Sequence, residues 1–197
     1  MARPRVHDEA LAERLLDEAT TIVGREGPDA LSLRRITQAA GTSTSAIYSL
    51  YGSRDALLDA VYQRAIASFA GATTVAETDD PVTDLRDMGL AYRTWALDNP
   101  QMYPVMFGQR HTSPEEVLER TRSTVEPLLL TVQRCIDAGK LEGNPRAIVT
   151  QLWASVHGYV SLELDGLLEH SLLSEGTPGE GPDYRTLLRG ALSPWRV

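Results

Sequence analysis

The chain has 197 residues, 42% of them hydrophobic and 23% charged, with a mean hydropathy of −0.22 and a formal net charge of −8. Those totals suit an ordinary water-soluble protein with a real core; no apolar run approaches the roughly 18 residues of a membrane span, and MARPRVHDEA lacks the apolar stretch of a signal peptide. The single cysteine, Cys135, rules out an internal disulfide, so the expectation is a cytoplasmic protein without membrane association.

Helical periodicity dominates and strand alternation is nearly absent, which predicts an all-α fold of about nine helices. The first helix is expected over residues 8–26, with Leu11, Leu15, Ala19, Ile22 and Val23 inward and Gly27-Pro28 as its stop. A short second helix follows Ser32 and turns Leu33, Ile36 and Ala40 to one side before Gly41. Ser43 is placed to cap a third helix over residues 44–50, which buries Ile47 and leaves Thr44, Ser45, Tyr48 and Ser49 outward. Gly52 breaks the chain, Ser53 caps again, and Arg54 opens a fourth helix to about residue 69 with Leu57, Leu58, Val61, Ala65 and Phe69 in a stripe.

Residues 71–81 read as a loop. A fifth helix over 82–98 aligns Leu85, Met88, Tyr92 and Trp95, and Asn99-Pro100 ends it ahead of the Met- and aromatic-rich QMYPVMFG. Ser113-Pro114-Glu115-Glu116 is a strong helix start, by cap, first-turn proline and capping box; that helix reaches residue 137, with Pro127 a predicted kink. Cys135, within it, reads as a small buried residue before a redox-active thiol. Asn144-Pro145 starts a helix carried to about residue 170 by Ile148, Val149, Leu152, Val156 and Val160. Residues 171–182 are expected to be a flexible connection, and residues 183–192 a last short helix.

Charge is uneven along this order. Residues 1–64 hold 8 Arg against 9 Asp and Glu, a net of −1, and residues 65–197 hold 11 basic against 18 acidic groups, a net of −7. The acidity therefore sits mostly behind the first 64 residues, and would repel a polyanion from that side.

Two short helices joined by a tight Gly-containing turn, with a small polar face on the second, are what a major groove accepts. Arg34, Ile36, Gly41, Ser43, Ile47, Tyr48, Gly52, Ser53, Arg54 and Leu57, in this order and spacing, resemble the TetR/AcrR family of bacterial transcription regulators. LWASVHGYVSLELDG, with Trp153, His157 and Gly158, resembles the Trp-His-Gly signature of one C-terminal subclass of that family, and NPQMYPVMFG fits it. Three positions depart from the common pattern: Leu50 where many members place a phosphate-binding His or Tyr, Thr37 for a common Ala, and Pro104 where many continue a helix.

The resemblance implies a helix-turn-helix DNA-binding domain over residues 1–53, a linking helix and loop over 54–81, and a C-terminal ligand-binding and dimerisation domain over 82–197. It implies DNA contacts from Arg34, Ser43, Thr44, Ser45, Tyr48 and Ser49, a phosphate contact from Arg54, and an N-terminal arm carrying Arg3 and Arg5; Arg35 reads as a solvated charge. The implied partners are a palindromic double-stranded operator, a second copy of the chain and a small-molecule effector, with no cofactor. Effector-binding candidates are Met88, Tyr92 and Trp95; Met102, Tyr103, Met106 and Phe107; and Trp153 with His157, although Met and aromatic residues at helical spacing also build ordinary cores. Repression released by a largely apolar or aromatic effector is the implied function. The alternative is a ligand-binding or protein-interaction module without sequence-specific DNA binding. An enzyme is not expected: His157, Glu163, Asp165 and His170 lack metal-site spacing, and there is no phosphate loop or nucleophile elbow.

Overall fold

The computed structural model describes residues 5–107, 114–168 and 183–197. Among them are nine α-helices: α1 (Arg5–Glu26), α2 (Leu33–Ala39), α3 (Thr44–Tyr51), α4 (Arg54–Thr73), α5 (Pro81–Asp98), α6 (Met102–Phe107), α7 (Pro114–Asp137), α8 (Pro145–Leu164) and α9 (Tyr184–Leu192). Single 3-10 turns lie at Pro28–Ala30 and Ser193–Trp195, and the one β-contact among the described residues is an isolated bridge between Leu141 and Arg196. The chain divides into two compact units, Met1–Ser68 with Asn99–Pro114, and Phe69–Asp98 with Glu115–Val197.

In the first unit, Leu15, Ala19, Ile22 and Val23 of α1 meet Ile36, Ile47, Leu57, Leu58, Val61 and Ala65 of α2, α3 and α4. The expected inward stripes are therefore the core. The surprise is α6. The sequence reading placed residues 99–107 with the C-terminal domain, but the structure puts them in the first unit, with Val105 buried and Met102 and Met106 packed on its core. The contact is between backbones: a Cβ on Gly24 would stand 2.0 Å from the Gln101 carbonyl oxygen. Pro104 does not interrupt α6, because it is the third helical residue and the N–H it lacks has no partner within a helix.

Polar contacts complete this unit. The Tyr51 hydroxyl donates to the Ala12 carbonyl at 2.7 Å, and Arg64 of α4 pairs with both Glu13 and Asp17 of α1. Thr37 is buried and returns its hydroxyl to the Leu33 carbonyl at 2.9 Å, which removes the cost of a polar group in place of a common Ala. Leu50 is half-buried against the core.

In the second unit, Leu85, Val132, Cys135, Leu141, Ile148, Val149, Leu152, Ala191 and Leu192 form a core contributed by α5, α7, α8 and α9. Burial pushes the Cys135 thiol up to about 11, consistent with an inert core residue. Asp84, only 2% exposed, accepts from the Thr78 hydroxyl (2.6 Å), the Thr78 N–H (3.0 Å) and Arg134 Nη1 (2.8 Å). Thr78 first, then Arg134, holds its carboxyl below the ordinary range. Arg134 also donates to the Thr78 carbonyl, so one buried carboxylate ties the α4–α5 connection to α5 and α7.

Several boundaries differ from expectation. α1 begins at Arg5, so Arg5 is helical rather than part of an extended arm. α4 runs on to Thr73 and α5 starts at Pro81, which shortens the loop. α7 passes through Pro127 as one helix. α8 stops at Leu164, where Asp165 and then Gly166 at φ 69° turn the chain; the further residues to His170 include some outside the described set. Arg3, Ser113 and the connection 171–182 also lie outside the described residues.

Replacing Gly24 by Ala forces α6 off α1. The first unit is expected to lose about 1–3 kcal/mol, the usual cost of overpacking, read as a lower denaturant midpoint for loss of far-UV helicity.

Candidate functional site

The α2–α3 turn is set by backbone chemistry. Ser32 accepts the Arg35 N–H at the start of α2 (3.4 Å), Gly41 takes φ 65°, which L side chains resist, and Thr42 N–H closes on the Thr37 carbonyl at 2.9 Å. Ser43 then stands at the N-cap of α3, but its side chain makes no cap hydrogen bond. Its hydroxyl instead pairs with that of Ser45 at 2.7 Å, so the expected cap is corrected to a side-chain pair on the outer face. Ser53 does cap α4, accepting the Ala56 N–H at 3.0 Å.

Ile47 is fully buried, and helical geometry turns the opposite side of α3 to solvent. Ser43, Thr44, Ser45, Tyr48 and Ser49 are all exposed, Tyr48 by 56%. Arg34 on α2 is exposed as well. Arg35 is not simply solvated: its guanidinium makes a two-pronged pair with Glu26 at 2.8 and 2.7 Å.

Arg54, expected to contact a phosphate, has partners within its own unit. Its Nε donates to the Leu31 carbonyl at 3.0 Å and its Nη2 to the Pro28 carbonyl at 2.9 Å, while Nη1 lies 3.5 Å from Asp55. The guanidinium fork bridges the start of α4 to the turn before α2, so its donors hold the frame of the helix pair. No motif marks this partner choice, because the carbonyls lie 23 and 26 positions away.

The effector candidates separate into groups. On α5 of the second unit, Met88, Tyr92 and Trp95 are buried. Phe69, not among the sequence candidates, joins them: its ring meets Tyr92 edge-on at 5.1 Å and Trp95 at 5.0 Å. Phe69 reads as one more residue of the α4 stripe, so its aromatic partners were not legible. A hydrogen bond of 3.0 Å joins the Tyr92 hydroxyl to His157 Nδ1, and burial lowers the His157 pKa toward a neutral ring. Trp153 is 48% exposed, its ring 6.1 Å from that of His157, so it stands at the surface of its unit rather than in the aromatic group. Met102, Tyr103, Met106 and Phe107 lie on α6 in the first unit, with Tyr103 and Phe107 rings 4.8 Å apart.

Next to Tyr92 on α5, Arg93 forms a two-pronged pair with Glu163 of α8 and lies 5.6 Å from the ring centre of Tyr184, whose hydroxyl donates to the Gly89 carbonyl at 2.6 Å. These contacts tie α5, α8 and α9 together. Among the described residues no cluster of His, Cys, Asp and Glu is arranged to hold a metal ion, and no helix is long and apolar enough to cross a membrane.

Residues 15–61 match the family described as bacterial regulatory proteins of the tetR family, and residues 85–175 match the tetracyclin repressor-like C-terminal domain. The HTH-type transcriptional regulator Mb1846 of Mycobacterium bovis is 26% identical, over 82% of this chain and 83% of its own. A TetR family transcription regulator from Marinobacter aquaeolei VT8 superposes with a TM-score of 0.76 at 19% identity, over 98% and 99% of the two chains. The SmeT–triclosan complex superposes with a TM-score of 0.71 at 20% identity, over 95% and 92%.

With its fork committed to two carbonyls, Arg54→Ala is expected to destabilise the first unit by about 1–2 kcal/mol. The slope of DNA affinity against salt should stay unchanged, which a phosphate anchor would not permit. Thermal unfolding and a salt titration of fluorescence anisotropy measure the two effects.

Proposed function

The chain belongs to the TetR family of bacterial transcription regulators, built from that family's N-terminal and C-terminal domains, and on that premise we propose a ligand-responsive repressor, acting in the cytoplasm as a homodimer on a palindromic operator. The observation that carries this reading is the outer face of α3, where Thr44, Ser45, Tyr48 and Ser49 are exposed opposite the buried Ile47. In the proposed complex α3 enters the major groove. Its hydroxyls and the Tyr48 ring meet base edges and thymine methyls, Ser43 lies at the groove edge, and Arg34 reaches a guanine or a phosphate. Arg3 and Arg5 add backbone charge from the N-terminus.

One recognition helix is a small footprint, so two copies reading half-sites about one DNA turn apart are needed. The half-exposed Trp153 and Leu162 of α8 support a dimer face built from α8 and α9. The effector is proposed to be small and largely apolar or aromatic, received by Met88, Tyr92 and Trp95 with Phe69, and oriented by His157. A neighbour of the same fold was solved as a complex with triclosan, which agrees with a ligand-responsive reading. Phe69 belongs to α4, the helix that also carries Leu57 and Val61 in the first unit's core, so moving Phe69 acts on an element anchored there. By linkage, DNA then weakens effector binding by the same factor as effector weakens DNA binding.

A gel shift on the DNA upstream of its own coding sequence, with a salt titration, tests the reading; equal affinity for unrelated duplexes would overturn it. Tyr48→Ala is expected to cost about 1–3 kcal/mol on the operator and little on random DNA. Arg34→Ala, if that side chain holds a phosphate, weakens all sequences and flattens the salt slope by about one.

His157 has its own pH signature. Its folded pKa lies below that of the unfolded chain, so the unfolded state binds the proton first as pH falls. Its contribution to stability is complete above the ordinary imidazole range near 6.5 and is lost as pH drops through and below it. Comparing thermal midpoints of the protein and His157→Gln between pH 7.5 and 5.5 is expected to show a shallower decline in the variant.

A further inference from the structure

Gly158 is a helix glycine that its own chain does not require. It lies well inside α8, where glycine weakens a helix relative to alanine. Its φ is not positive, and a Cβ added there would meet nothing within 4 Å. Gly89 of α5 is the contrast: a Cβ on it would stand 2.7 Å from Leu188 of α9, so this chain fills that space itself. Ala154, Gly158 and Leu162 follow at four-residue spacing and form one ridge of α8. Ala154 and Leu162 are exposed, Leu162 by 44%. Between Arg146 and Asp165 the one charged side chain of α8 is Glu163, which Arg93 of the same unit holds. On a chain of net charge −8, this uncharged ridge is a place where a second copy of like charge can approach without repulsion.

The neighbouring helix supplies a second complementarity. α9 runs antiparallel to α8: the Gln151 amide donates to the Ala191 carbonyl at 3.3 Å, and the Tyr159 and Tyr184 rings lie 5.2 Å apart. Arg189, two residues short of Ala191, is therefore level with about residue 153 of α8. An antiparallel crossing at Gly158 exchanges levels equally spaced on either side of it. Level 153 of one copy then meets about level 163 of the other, within two residues of Asp165. That offset is about 3 Å at the helical rise, which a long guanidinium side chain spans. Arg189 and Asp165 are both exposed, and of opposite charge.

We propose that two copies of the chain pack α8 on α8, antiparallel about a two-fold axis at Gly158, with Arg189 of each copy paired to Asp165 of the partner subunit. This pairing rests on the homodimer reading; the crossing point and the charge pair go beyond it. The bare backbone of Gly158, flanked by Ala154, lets the two helices approach to the short end of the roughly 8–10 Å range for packed helices. Leu162 of each copy is covered beside that crossing. The two-fold axis makes the charge pair twice, once at each end of the contact.

Analytical ultracentrifugation of the full-length chain, read as a dimer dissociation constant, is the test. Gly158→Leu is expected to raise that constant about a hundredfold while far-UV helicity stays as it was, because the added side chain crowds only the second copy. Gly158→Ala changes it in the same direction by less, and takes over if the leucine variant does not fold. Arg189→Asp sets like charges opposite each other twice per dimer and raises the constant about tenfold at low salt. Combining Arg189→Asp with Asp165→Arg restores the original value. An unsubstituted chain that stays monomeric at every concentration sinks the homodimer reading itself. A dimer indifferent to both Gly158 variants, or charge reversals that fail to compensate, overturns the crossing at Gly158 and leaves the homodimer standing.

Discussion

Complete burial of Ile36 and Ile47 is the constraint on which the rest of the first unit depends. Each α2–α3 helix is short, under three turns, and such helices are marginal alone. Anchored on the Leu15, Leu57 and Val61 side chains, they have one available rotation about their axes. That rotation decides which residues are left for a partner: once Ile47 points inward, Thr44, Ser45, Tyr48 and Ser49 point out. The exposed face is thus a consequence of packing, with Gly41 supplying the backbone conformation that keeps the two helices close.

Around this anchor, polar contacts set the frame. Arg54 reaches back to the Pro28 and Leu31 carbonyls, Tyr51 to Ala12, and Arg64 to two acids of α1. None of these is a strong contact in isolation. Together they join α3 to α1, and α4 both to α1 and to the turn before α2, at points far apart in sequence. The second unit uses the same device with one buried carboxylate, Asp84, whose three hydrogen bonds make its burial tolerable and fix the connection that follows α4.

The helix-turn-helix was legible because three local signals coincide there: apolar spacing, a glycine in the turn, and small polar residues on the remaining side. The aromatic group was only half legible. Met88, Tyr92 and Trp95 follow one helical stripe, and the Tyr92–His157 bond joins two residues already singled out. Phe69 was hidden in a neighbouring stripe, and Trp153 proved to be a surface residue, since periodicity gives a side chain's direction from its helix but not what stands opposite. The four α6 candidates were misplaced for the same reason: nothing in QMYPVMFG states that Gly24, some 80 residues earlier, is bare enough to receive it.

The amino-acid sequence by itself determined the all-α class, the order of helices, the helix starts at Ser53 and Asn144, and the side of α3 that faces outward. Those follow from local rules: helical period, orphan N–H groups and the backbone freedom of glycine. Tertiary structure alone decided that Arg54 serves two carbonyls, that α6 belongs to the first unit, and that Ser43 pairs with Ser45 instead of capping. Each is a choice among partners of nearly equal chemistry, and a long donor or a short apolar helix takes whichever partner the folded chain brings within reach.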